Sequence, residues 1–134
     1  MFKIKVKVKG YLKNLTENKE NLINTIAIKK SNTISYVIDN TKYKLILEQD
    51  KIILMRENNE ISHGMVFETG HKTLSEYYLK ENNYSLQFTI TTKDIILTNN
   101  SIDITYTIEE SETTYNYVLE MSDNLWVLKR NYKQ

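Results

Sequence analysis

Near its start the chain reads "FKIKVKVK" (2–9), in which Phe2, Ile4, Val6 and Val8 alternate with Lys3, Lys5, Lys7 and Lys9. In an extended strand a period of two sends the apolar set to one face and the lysines to the other, so one face is buried and the other is wet. The same alternation, carried by β-branched and aromatic residues, fills segment after segment, and helical periodicity is missing almost everywhere. About ten strands are expected, at 2–9, 22–30, 33–39, 42–48, 51–57, 60–68, 72–79, 84–98, 101–109 and 113–122, with one long polar loop, "YLKNLTENKEN" (11–21). An all-β chain of short antiparallel strands without crossover helices points to an up-and-down barrel of about 8–10 strands. Closing the barrel removes the sheet edges. A two-sheet sandwich is the alternative.

The turns test whether neighbouring strands agree about which face is inside. Residues opposite each other in a hairpin point to the same side, and two-residue turns rich in Asn, Asp and Gly favour hairpins. A turn at Gln49-Asp50 sets Leu47 against Ile52, Leu45 against Leu54 and Tyr43 against Arg56. One at Asn58-Asn59 sets Arg56 against Ile61, Leu54 against His63 and Ile52 against Met65. Turns at Asn99-Asn100 and Ser111-Glu112 bring together Leu97 and Ile102, Ile108 and Tyr115, and Tyr106 and Tyr117. Every pairing gathers the large apolar residues on one side. Phase breaks once: Leu86, Phe88 and Ile90 are even, Ile95 and Leu97 odd, which requires a β-bulge or sharp corner within "TTKD" (91–94).

Bulk properties narrow the partners. A chain of 134 residues fits one domain, 1–134, large enough to fold without staples. Cysteine is absent, which removes disulfides and thiolate metal sites and suits a reducing compartment. The N-terminal stretch lacks the continuous apolar run of a signal peptide, and no stretch approaches a membrane helix, so a soluble, cytoplasmic protein is expected. With 18 basic against 17 acidic residues the net charge is +1, so neither nucleic acid nor membrane is expected as a partner. Whether there is a protein partner stays open.

Several stretches together resemble a known family. "ISYVIDNTKYKLILE" (34–48), "IILMR" (52–56), "MVFETG" (65–70), Tyr77, "FTITTKDI" (88–95) and "SIDITYTI" (101–108) are similar, in order and spacing, to the YwiB-like family of small bacterial calycin-like barrels. The likeness covers roughly 2–122 and leaves 123–134 as a C-terminal extension, with Trp126 as its expected anchor. The family is a domain of unknown function. The resemblance therefore implies a fold, and an arginine at position 56, and no activity.

Both histidines fall in "EISHGMVFETGH" (60–71). With Gly70-His71 as the turn, His63 lies opposite Tyr78 and some 25 Å of extended chain from His71, too far to share an ion. No metal, cofactor or catalytic set is expected, because no nucleophile, base or ligand cluster can be assembled from the phases. His71 reads as an exposed turn residue. His63 joins Ile61, Met65 and Phe67 on an inward stripe, either as a hydrogen-bonded core histidine or as a polar handle in a cavity. Arg56 shares that face and needs a carboxylate, carbonyls or an anionic ligand; Glu48 or Glu60 would serve a structural arginine closing a barrel end. Tyr36, Tyr43, Tyr106, Tyr115 and Tyr117 also point inward. Such a set describes equally a filled core and a pocket for an amphipathic small molecule. The lumen candidates for a small-molecule ligand are accordingly Arg56, His63, Tyr43, Tyr36, Tyr106, Tyr117, Met65 and Phe67. The alternative is a non-catalytic adaptor acting through its outer surface or its tail.

Overall fold

The computed structural model describes residues 3–122. Expectations for Phe2, Trp126 and the extension 123–134 lie outside the described residues. Among the described residues ten strands form: β1 (Lys3–Asn14), β2 (Lys19–Lys30), β3 (Thr33–Ile38), β4 (Thr41–Leu47), β5 (Ile52–Glu57), β6 (Ile61–Phe67), β7 (Lys72–Leu79), β8 (Tyr84–Leu97), β9 (Ser101–Ile108) and β10 (Thr113–Met121). Each pairs antiparallel with its sequence neighbours, and β1 also pairs with β10, closing the barrel.

Closure puts β1 and β10 unusually close at one point. A Cβ built on Gly10 would stand 1.8 Å from the carbonyl oxygen of Val118, so only a hydrogen fits there. At β8 the phase break is taken up between Thr92 and Asp94, where Lys93 is the extra residue of a β-bulge. Ile90 and Thr92 before it and Ile95 after it can then share the interior with β9.

Four expectations about register change. The polar loop 11–21 is mostly strand: β1 and β2 pair out to Asn14 and Lys19, leaving a short turn closed by the Glu17 N–H donating to Asn14 Oδ1 at 2.9 Å. This hairpin tip carries exposed Lys19, Glu20, Asn21 and Leu22, so the inside–outside contrast that marks a strand is lost from its sequence. Between β5 and β6 the turn falls one residue later than Asn58-Asn59. Asn58 Oδ1 accepts from the N–H groups of Glu60 and Ile61, which places Asn58 before the turn. Arg56 therefore faces His63, Leu54 faces Met65 and Ile52 faces Phe67.

The β9–β10 turn moves one residue earlier, pairing Ile108 with Thr113, Tyr106 with Tyr115 and Ile104 with Tyr117. Both shifts displace the pairing by two residues and preserve which face is inside.

The β6–β7 connection shifts by one and reverses the face. Gly70 takes φ +78°, and His63 pairs with Tyr77. Tyr77 turns inward, and the expected Tyr78 bonds through its hydroxyl to Asn83 outside the lumen. The β6–β7 ladder stops at Gly64–Glu76. Beyond it, hydroxyls stand in for backbone donors: Thr73 Oγ1 donates to Val66 O and Ser75 Oγ to Gly64 O. The buried Thr92 hydroxyl accepts the N–H of Glu68 in the same seam.

Ile34, Leu45, Ile52, Phe67, Ile90, Ile102, Ile104 and Leu119 form the floor, none more than 1% exposed. They lie toward the end of the barrel that holds the β2–β3, β4–β5, β6–β7 and β8–β9 turns. Toward the other end the interior opens.

Candidate functional site

Two residues further along each strand, the aliphatic floor gives way to a belt of aromatic and polar side chains. Tyr36, Tyr43, Arg56, His63, Tyr77 and Leu86 stand directly opposite one another in succession, one from each of β3 to β8. Across the lumen Tyr106 and Tyr115 form a pair, and Tyr117 faces Leu12. Together these residues line a cavity of about 900 Å³, floored by Leu54 and Met65 and rimmed by exposed Glu20, Leu22 and Asp39. The mouth is widened on one side because β2 and β3 pair over only three residues, Ile28–Lys30 with Thr33–Ser35.

The phenols are organised in two sets. Tyr36 and Tyr117 share a buried hydrogen bond of 2.6 Å between their hydroxyls, and the Tyr36 ring stacks on Tyr43 at 4.8 Å and 9°. Tyr106 stacks on Tyr115 at 5.4 Å and 19° and rests on Phe67 at 4.7 Å. Burial pushes the Tyr36 hydroxyl up to about 12, and raises Tyr106 and Tyr117 for the same reason. All three stay neutral across the physiological range.

Arg56 and His63 form the polar centre. His63 Nε2 lies 2.8 Å from Ser75 Oγ, whose own proton goes to Gly64 O at 2.8 Å. One hydroxyl proton cannot serve both, so His63 Nε2 carries the hydrogen and donates to Ser75. Nδ1 is then the bare nitrogen, facing Arg56 Nη2 at 3.5 Å. The donors run in one direction, from guanidinium to imidazole to hydroxyl to carbonyl. A second proton on His63 would sit on Nδ1, against a cation; burial and the Arg56 charge bring its pKa down to about 4. The imidazole is a fixed neutral acceptor.

Arg56 itself is poorly satisfied. Its Nε is buried without a hydrogen-bond partner, the Nη2 contact to His63 is long, and Cζ lies 5.7 Å from the centre of the Tyr77 ring. Among the described residues the ion pairs are His71–Glu68, Lys72–Glu109 and Lys80–Glu57. Neither Glu48 nor Glu60 pairs with Arg56. The structural closure of a barrel end by a carboxylate is therefore not what this arginine does.

Of the eight residues singled out in the sequence, seven line one cavity: Arg56, His63, Tyr43, Tyr36, Tyr106, Tyr117 and Met65. Phe67 does not; it lies fully buried beneath Tyr106. Leu54, expected beside His63, lies in the floor opposite Met65. Sequence reasoning missed Tyr77, hidden by the one-residue slip at Gly70, and Ser75, whose inward parity follows only once that slip is known. Leu12 and Ile23, in or beside the supposed loop, also line the cavity. His71 sits at the far end of β6 from His63, with Nδ1 3.1 Å from Thr69 O. No group of three His, Asp or Glu side chains able to hold a metal occurs among the described residues.

No family model matches the chain, and no curated protein sequence matches it. Among solved structures, the crystal structure of the ywiB protein from Bacillus subtilis is similar over 90% of both chains, with a TM-score of 0.62 and 19% sequence identity. At that identity the likeness speaks for architecture. The chain has the fold of the ywiB protein, the architecture implied by the YwiB-like resemblance of its sequence.

Proposed function

We propose that this chain is a non-enzymatic, cytoplasmic, calycin-like barrel that binds a small, partly apolar molecule in its lumen. The observation that carries the reading is the cavity of about 900 Å³ above a close-packed floor, with polar groups converging on it. Ligand sites are typically concave, mostly apolar and supplied with a few placed polar groups, within about 300–1,000 Å³. A barrel serving only as a scaffold gains nothing from leaving that volume empty, since filled interiors reach crystal-like packing density. Arg56, His63, Tyr36, Tyr43, Tyr106 and Tyr117 are the proposed contacts, with Met65 at the base. Native mass spectrometry of protein taken from its own cells tests this. A retained mass that disappears on denaturation is the expected result, and bare protein in every preparation would count against it.

A second reading is an adaptor acting through its outer surface. It is favoured by the exposed apolar residues Ile26, Ile28, Val37 and Met55, which border a shallow groove on the outside of β2 to β5. Pull-down and size-exclusion profiles with Ile26→Lys, and with residues 123–134 removed, separate the two surfaces named for this role. Unchanged profiles in both variants would exclude it.

A further inference from the structure

From the unpaired guanidinium in the lumen we infer that the ligand is a monocarboxylate, its carboxylate seated on Arg56 beside His63 and its apolar body lying between the tyrosine pairs. The inference deepens the lumen-binding reading and rests on it.

Every ionisable group facing the cavity narrows the choice. Tyr36, Tyr106 and Tyr117 hold their protons, so no phenolate offsets Arg56. His63 presents a bare Nδ1 to the guanidinium, which occupies an N–H without supplying negative charge. Glu20 and Asp39 line the cavity only at its exposed rim and make no ion pair with Arg56. Solvent and salt screen such charges. The interior wall therefore carries one uncompensated positive charge.

A half-buried cation is costly without a partner, and the geometry says what partner fits. Arg56 lines the cavity with only a long Nη2 contact to His63, while its Nε–H is shut off from solvent without a partner, so the charge has no compensation on the protein side. A planar group with two oxygens can take the Nη groups of the guanidinium with two hydrogen bonds. A phosphate monoester would bring nearly two charges to a wall that offers one. Below this point Leu54 and Met65 offer only apolar surface, and across the lumen the Tyr106–Tyr115 stack presents rings. An anion that also carries an apolar or aromatic body satisfies both halves.

The test compares 4-phenylbutyrate, its neutral amide 4-phenylbutanamide and 4-phenylbutylamine by calorimetry on the full chain. A charge-assisted hydrogen bond outweighs a neutral one by enough to predict the acid binding about tenfold or more tighter than the amide, with the amine weakest. In Arg56→Met the acid should lose its advantage and bind no tighter than the amide does to the same variant, and an unchanged far-UV circular dichroism spectrum shows that the variant is folded. The proton resonances of His63 give a readout independent of any variant: bound acid should raise its pKa and the amide should leave it in place. Equal binding of acid and amide, or tightest binding by the amine, overturns the inference and leaves lumen binding standing. Failure of all three to bind at millimolar concentration overturns both.

Discussion

Two belts of side chains lie next to each other inside this barrel, one step apart on the same strands. The lower, Ile34–Leu45–Leu54–Met65 across β3 to β6, is aliphatic and closed. The upper, Tyr36–Tyr43–Arg56–His63, is aromatic, polar and open. Backbone geometry, parity and hairpin partners are shared, so the difference rests on side-chain chemistry alone. The lower belt removes apolar surface from water and closes the floor. The upper belt keeps a cation with an unmet donor and a cavity beside it, two features that lower stability and suit a ligand. Stability and binding are divided by level within one set of strands.

Truncating the lower belt should produce the largest change. Leu45→Ala removes fully buried methyl groups from a packed site and should cost about 2–5 kcal/mol in urea unfolding. A loss under about 1 kcal/mol would mean that the floor is not close-packed and that the contrast is false. Next comes Tyr117→Phe, which leaves the buried Tyr36 hydroxyl without its partner and should cost about 1–3 kcal/mol, unless a cavity water takes the place.

The third change is in pH. His63 takes up a proton near 6.5 when unfolded and at about 4 when folded. Between those values the unfolded chain holds more protons, so this group's contribution is fully present above pH 6.5 and is lost as the pH falls toward 4. After allowance for its partial exposure to solvent, about 1–2 kcal/mol is at stake. Unfolding curves from pH 4 to 7 should show this slope in the native chain and a flatter one in His63→Gln. Smallest of all is the effect of Arg56→Met on the empty barrel, within about 1 kcal/mol and in the stabilising direction, since an unpaired charge is replaced by an apolar group. A loss of several kcal/mol would show that Arg56 holds the upper belt together.

The sequence conveyed the two belts unequally. Alternation alone places Leu45, Leu54 and Ile104 inside, and does the same for Tyr36, Tyr43, Arg56 and His63, because parity survives a shift of two residues in a turn. Which of these residues touch is another matter. Asparagines at 58 and 59 allow two neighbouring turns, and the choice is made by the Asn58 side chain capping two backbone N–H groups, a contact that exists only after folding. The wrong choice separates Arg56 from His63. At Gly70 a single left-handed residue shifts the pairing by one and exchanges Tyr78 for Tyr77. The hydroxyl of Ser75, which fixes the His63 tautomer, depends on that exchange. The hairpin at 11–21 was illegible for a simpler reason: both its faces meet water at the tip, and alternation carries information only where one face is buried.

The central claim is that the upper belt holds the ligand, while the lower belt meets it at most through Leu54 and Met65 at the cavity base and is otherwise closed. Backbone and side-chain chemical shifts of labelled protein titrated with 4-phenylbutyrate address it most directly. The claim predicts saturable changes at Tyr36, Tyr43, Arg56, His63, Tyr77, Tyr106, Tyr115 and Tyr117, with Ile34, Leu45 and Ile102 unmoved. Changes confined to the outer face around Ile26, Val37 and Met55, or none at millimolar ligand, would contradict it.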